Sequence, residues 1–394
     1  MSLGAATEAP EPVRIECVVL PGPKGAFDVD LAGGRIQSIT PSLSGDPVRL
    51  LLPAFVDLHM HADRAYAQGP RAARSLEDAV EQVEAVKRAA TEEDIFGRAC
   101  KLFRRASAHG TTGLRTHVDI DPVVGWKPLN AVARARRQFE EVLDVSIVAF
   151  ATAHLDPRSA AGRRTVAEAV AGGADMIGTV VPFHEDPIAS LNAILDLAEE
   201  LGVDADFHID ERGGSQFLLE ELADACLSRK VHGRVTASHC CALATAPPED
   251  AARTIAKLAE ARMTVIALPA LNLHLQDRGN TTPRRRGIAP VREMLDAGVP
   301  VRFGSDNVMD VFYPYGDADP LEAAFLASIT GHVDDETALL RGVCNGRSRV
   351  EEGMVADLVV IEAATWNEAI ARRPLPRTVL RRGRRVTEER DDQR

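Results

Sequence analysis

Two histidines one residue apart, His59 and His61, close the apolar stretch PAFVDLHMHADR at residues 53–64. In a strand, residues i and i+2 point to the same side, so both imidazoles can face one centre. Other apolar stretches end on groups of the same kind: His208, Asp210 and Glu211 in FHIDE (207–211), Ser238 and His239 in VTASHC (235–240), Ser305 and Asp306 in FGSD (303–306). Taken singly, each reads as an ordinary polar strand end. Together they predict that three or four histidines and a carboxylate converge, a donor set suited to Zn²⁺ or Fe²⁺.

Such convergence needs a scaffold that brings distant strand ends to one place. From residue 53 onward, apolar runs of strand length alternate with helical stretches rich in Ala, Glu and Arg. The strand candidates are LLPAFVDLH (51–59), 112–120, 145–154, 175–182, 205–210, 234–240, TVIALPALN (264–272) and 299–306. Helices are predicted over 75–90, 92–110, 159–172, 187–201, 215–229, 248–262 and 289–297. Eight β/α units in one run predict an α/β fold, a (β/α)8 barrel, whose sites lie at the C-terminal ends of the strands. Residues 13–52 and 350–394 read as β again and are expected to pair into a small β-sandwich beside a barrel spanning 53–349. Residues 1–12 read as a flexible tail.

Composition narrows the functional classes. The chain has 394 residues and a formal net charge of −12, which argues against a nucleic-acid partner. No apolar run reaches 18 residues, so no membrane partner is expected. The N-terminus has no secretory pattern and the six cysteines have no C-x-x-C spacing, which together point to a cytoplasmic protein with reduced thiols. A homo-oligomer is compatible with the sequence.

The H-x-H ending strand one, with histidines on strands five and six and an aspartate on strand eight, resembles the amidohydrolase superfamily. FHIDE, VTASHC, NLHLQDRGNTTPRRRGI (272–288) and FGSDNVMDVFYPYG (303–316) are similar to the bacterial cytosine deaminase branch and related heterocycle deaminases. The resemblance implies one divalent metal ion, Fe²⁺ or Zn²⁺, held by His59, His61, His208 and Asp306. Binuclear members carry a strand-four lysine, and no Lys occurs from Asn130 to Arg229; Glu185 is the conceivable substitute. A bound ion makes hydroxide available near neutral pH. The implied reaction is its attack on a ring carbon bearing an amine, with release of ammonia. Glu211 is then the proton shuttle, Asp306 the acceptor of the water's proton and His239 the stabiliser of the attacking group.

The substrate pocket departs from the branch. Cytosine deaminases place a glutamine where this chain has Thr152, a second aspartate where it has Asn307, and a tryptophan where it has Phe312. The pattern over 306–316 also resembles the triazine enzyme acting on N-isopropylammelide. Thr152, His154, Gln276, Asn307 and Phe312 are the candidate substrate contacts for a small heterocycle. His117 and His184 read as structural, and His109, His232 and His332 as solvated. The competing readings are a triazine or N-alkylamine aminohydrolase, a cyclic-amide hydrolase, and a catalytically dead binding barrel. The last predicts lost ligands, and all four are present.

Overall fold

The computed structural model describes residues 12–45, 48–71, 73–212, 217–278 and 286–386. The tail expected at 1–12 lies almost wholly outside these, as does part of the 272–288 motif. Eight parallel strands follow one another in chain order: Phe55–Met60, Thr111–Ile120, Asp144–Ala151, Met176–Val180, Asp204–Ile209, Val235–His239, Thr264–Ala267 and Val301–Phe303. Strands one and eight meet in a bridge between Met60 and Asp306, where the Asp306 amide donates to the His59 carbonyl at 2.9 Å. The barrel thus closes at the level of the site, as a (β/α)8 architecture. Among the described residues no helix is long and apolar enough to cross a membrane.

Two predicted strands differ in extent. LLPAFVDLH is two strands in two sheets. Arg49–Pro53 pairs with Leu358–Ile361 of the terminal sheet, and Phe55–Met60 enters the barrel. The switch falls at Ala54, whose amide still donates to Asp357 while that of Phe55 donates to Gly110. TVIALPALN is strand only to Ala267. Pro269 then opens the helix Pro269–Leu275, where its fixed φ and missing N–H suit the first turn.

The terminal segments form one seven-stranded sheet, ordered Arg384–Arg385, Thr378–Arg381, Leu358–Ile361, Arg49–Pro53, Val13–Val19, Phe27–Ala32, Arg35–Pro41. Its two faces follow the strand alternation. Leu51, Leu358, Val360 and Leu380 join Val18, Val29 and Ile36 in a core of their own, while Leu50, Leu52, Val359 and Ile361 pack into the barrel's core. The approach is close: a Cβ on Gly110 would lie 2.9 Å from Val359 Cγ2 and 3.1 Å from the Phe55 ring. His109, expected in solvent, is buried beside this junction at 1 % exposure, its ring facing Asp317 and Asp319 at 3.4 and 3.7 Å.

The helix Leu76–Ala89 begins at Ser75, whose side chain accepts from the Asp78 amide, an ordinary N-cap. Its residues Leu76, Val80, Val83 and Lys87 share one helical face and line the cleft at the barrel mouth.

Candidate active site

Strands one, two, five, six and eight deliver the polar residues at the mouth. His59, His61, His117 and His208 offer ring nitrogens within 4.8 Å of one another, and the ring nitrogens of His59 and His239 with a carboxylate oxygen of Asp306 form a second such group. Three of the converging separations are His61 Nε2 to His208 Nε2 at 3.2 Å, His61 Nε2 to Asp306 Oδ1 at 3.4 Å, and His59 Nε2 to Asp306 Oδ1 at 3.6 Å. A tetrahedron with arms of about 2.1 Å, the usual zinc–nitrogen length, has edges of about 3.4 Å. These three separations lie close to that edge length.

Their electrostatics agree. Burial first, then neighbouring histidines, holds His59 and His208 well below the usual imidazole range, and His61 likewise with Arg64 as the second cause. These rings are therefore neutral and have lone pairs to give. Asp306 is buried, and both its carboxylate oxygens lack a hydrogen-bond partner among the described residues. Burial, reinforced by Glu211, pushes its carboxyl far up. A buried unpaired carboxylate is costly, so the residues present suit a bound cation.

The supporting shell fixes which nitrogen points inward. Ser238 Oγ donates to Asp206 Oδ1 at 3.2 Å and so accepts from His59 Nδ1 at 2.8 Å. That leaves His59 Nε2 unprotonated toward the centre. On His239 the logic runs the other way. Asn272 Nδ2 donates to Nδ1 at 3.1 Å, which places the proton on Nε2, a buried donor without a protein partner. Three residues following or ending strands take left-handed backbone: Asp210 at φ 51°, His239 at 72° and Asp306 at 61°. Such values are uncommon outside glycine. They turn the chain away while the side chains stay at the mouth.

Glu211 lies beside this group, its Oε1 3.9 Å from His239 Nδ1. Burial raises its carboxyl to about 7, against the opposing pull of Arg212 and Arg64. Asp210 anchors the segment by accepting from the Leu218 and Leu219 amides at 2.9 and 3.0 Å.

The remaining candidates are placed unevenly. Thr152, His154, Asn307 and Phe312 line the cleft. Gln276 does not: its Nε2 donates to the Glu211 carbonyl at 3.1 Å and its Oε1 accepts from the Gly287 amide at 3.0 Å, so it braces the Glu211 loop. Thr152 Oγ1 donates to Asp121 Oδ2 at 2.8 Å, Asn307 Nδ2 to Asp310 Oδ2 at 2.5 Å, and His154 Nε2 sits 2.9 Å from Glu84 Oε1. Glu185 is 93 % exposed and faces Arg158 at 3.7 Å, away from the cluster. His184 holds Thr179 Oγ1 at 2.6 Å, as a structural residue does. His332 is exposed and His232 partly so.

His117 is the exception among the histidines read as structural. Its ring centroid is 4.2 Å from that of His59 and 4.7 Å from that of His208, and its Nε2 is 3.3 Å from Asp206 Oδ1. Sequence reading also missed Arg64, Lys87 and Asp119, which line the cleft. The H-x-D spacing of His117 and Asp119 was the available signal, since strand alternation sends both to one side.

The amidohydrolase family model matches residues 89–387. The pterin deaminase of Rhizobium rhizogenes is 32% identical over 382 residues, 91% of this chain and 87% of that protein. Among solved structures, 5-methylcytosine deaminase from Klebsiella pneumoniae with 5-fluorocytosine superposes with a TM-score of 0.88 at 27% identity, covering 95% and 97% of the two chains. N-isopropylammelide isopropylaminohydrolase from Burkholderia multivorans superposes with a TM-score of 0.80 at 28% identity, covering 95% and 98%.

Proposed function

The chain belongs to the amidohydrolase family, and on that footing we propose that it is a hydrolytic deaminase of a small nitrogen heterocycle. One divalent ion, Zn²⁺ or Fe²⁺, would be held by His59, His61, His208 and Asp306. When bound, it supplies the activation of water that such ions provide at neutral pH.

The protein's own residues divide the rest. Asp306 Oδ1 or Oδ2, free of protein donors, takes the proton that water loses on attack. Glu211 hands a proton to the ring nitrogen next to the reacting carbon. His239 Nε2–H offers a hydrogen bond to the oxygen added at that carbon. Collapse expels the exocyclic nitrogen, which leaves as ammonia with the proton that Asp306 took, while the proton of the added hydroxyl returns to Glu211. Net, N=C–NH₂ and water become HN–C=O and NH₃.

The observation that carries this reading is Glu211, a buried carboxyl raised to about 7 beside the cluster. A general acid works best with its pKa near the working pH. The relatives support the reaction class. The triazine reading differs in the leaving group alone and rests on Asn307, Asp310 and the likeness to the isopropylammelide enzyme.

The test is nitrogen release by the metal-loaded chain from cytosines, pterins, aminotriazines and N-alkylaminotriazines. Ammonia from an aminated ring is the expected result, with cytosine not the best substrate, because Thr152 offers one hydroxyl and donates it to Asp121. Alkylamine release alone would favour the triazine reading. Ring opening without amine release would refute both.

A further inference from the structure

Strands one and two lie across the barrel from strands five and six, and their side of the cleft carries charged groups that the mechanism does not use. Arg64, Lys87 and Asp119 line the cleft, with side chains 12, 11 and 1 % exposed. Lys87 Nζ is paired with Asp119 Oδ2. Arg64 Nη1 stands 3.5 Å from Asp119 Oδ1, too far for a good hydrogen bond. Among the described residues, neither Arg64 Nε nor Asp119 Oδ1 has a hydrogen-bond partner. Two side chains that approach each other at the cleft wall, with Arg64 Nη1 and Asp119 Oδ1 3.5 Å apart, thus each carry an unsatisfied buried polar atom, Nε on Arg64 and Oδ1 on Asp119. Buried polar groups are normally paired.

The pair is held firmly. Arg64 lies on the turn after strand one, where Arg98 Nη1 donates to the carbonyls of Asp63 and Ala65 at 3.0 and 2.9 Å. Its guanidinium sits over the Phe312 ring, 4.8 Å from the centroid. The Asp119 amide donates to Asp63 Oδ2 at 3.0 Å.

We infer that Arg64 and Asp119, with Lys87 fixing Asp119, form the substrate-reading edge of this site, and that it takes a neutral heterocycle carrying a lactam, a ring C=O beside a ring N–H. Arg64 donates to the carbonyl oxygen and Asp119 accepts from the N–H. This rests on the deaminase reading for the reaction. A lactam presents its oxygen and nitrogen about 2.3 Å apart, which two roughly parallel hydrogen bonds from groups 3.5 Å apart can meet. A neutral ligand follows from the charges. The cations Arg64 and Lys87 share the cleft with the carboxylates Asp119 and Glu84, two charges against two, so no net positive charge remains for an anionic substituent. The residues first expected to read the ring are otherwise engaged: Thr152, Asn307 and His154 each bond within the protein.

The experiment uses the metal-loaded full chain and substrate pairs differing in the lactam alone: cytosine with 4-aminopyrimidine, and pterin with 2-aminopteridine. Ammonia release gives kcat and KM. Binding of the deaminated products uracil and lumazine is measured in parallel, with metal content and melting temperature as controls. Wild type should prefer the lactam member of the pair it processes best by at least about 100-fold in kcat/KM, since sites built around a polar edge reject analogues lacking it. Arg64→Gln and Asp119→Asn should each cut that preference below about tenfold, mainly through KM, and weaken product binding in parallel. Unchanged preference and unchanged product binding in whichever variants fold would overturn the inference and leave the deaminase reading standing. Should wild type release no ammonia from any ring, the deaminase reading falls and product binding decides: weaker binding in the variants supports the edge, equal or absent binding overturns it.

Discussion

Replacing Glu211 with Gln separates proton transfer from the rest of the site. The side chain keeps its size and loses its proton chemistry. The carboxyl titrates at about 7 against an ordinary 4.5, because burial disfavours its charge. As a donor to the ring nitrogen it must be protonated, so wild-type kcat/KM should fall as pH rises through about 7, and that limb should be absent from Glu211→Gln. The expected loss in kcat is about 10²- to 10⁴-fold, the usual contribution of a general acid or base. Stability offers a second, activity-independent readout in metal-free protein. A folded-state pKa above the unfolded one means that stability is fully present below about 4.5 and declines as pH rises to about 7. The raised carboxyl corresponds to about 3 kcal/mol. Urea unfolding of the two proteins should therefore agree at pH 4.5, and at pH 8 Glu211→Gln should be the more stable by that order. A kcat loss under tenfold with metal retained would remove Glu211 from the mechanism, and a stability difference that does not vary with pH would show that its carboxyl is not raised by burial.

Other expectations concern the scaffold of the site. Elemental analysis should find about one Zn²⁺ or Fe²⁺ per active chain, chelation should abolish turnover and metal readdition restore it; two ions per active chain would refute the four-ligand set. Ser238→Ala frees the His59 ring from its partner at 2.8 Å and should weaken metal affinity about 10- to 100-fold, measured by competition with a chromogenic chelator; an unchanged affinity would mean that Ser238 does not orient the ring. Gly178→Ala drives a Cβ into the Asp206 carbonyl oxygen and should destabilise the fold by about 1–3 kcal/mol in denaturant unfolding; a neutral effect would show that strands four and five can separate locally.

The sequence by itself determined the β/α alternation and the pairing of His59 with His61, because strand and helix periods are local properties of the backbone. It also determined that His208, His239 and Asp306 end or follow strands. Once those strands close into a barrel, their ends share one mouth, so the ligand candidates were legible without coordinates. Three-dimensional packing decided what no local pattern encodes. LLPAFVDLH divides between two sheets because the partners of Ala54 and Phe55, Asp357 and Gly110, are distant in sequence. His109 is buried among groups distant in sequence, its ring against Asp317 and Asp319 and its carbonyl accepting from Arg377. Thr152 and Asn307 read as candidate substrate contacts, and only the structure shows Asp121 and Asp310 engaging them. Lys87 lies within the helix predicted over 75–90 and Arg64 just past the H-x-H stretch, and neither position carried a signal of its own. Whether a charged side chain faces water or a buried partner depends on which elements are adjacent in space. Here that adjacency joins residues 64, 87 and 119 from a turn, a helix and a strand.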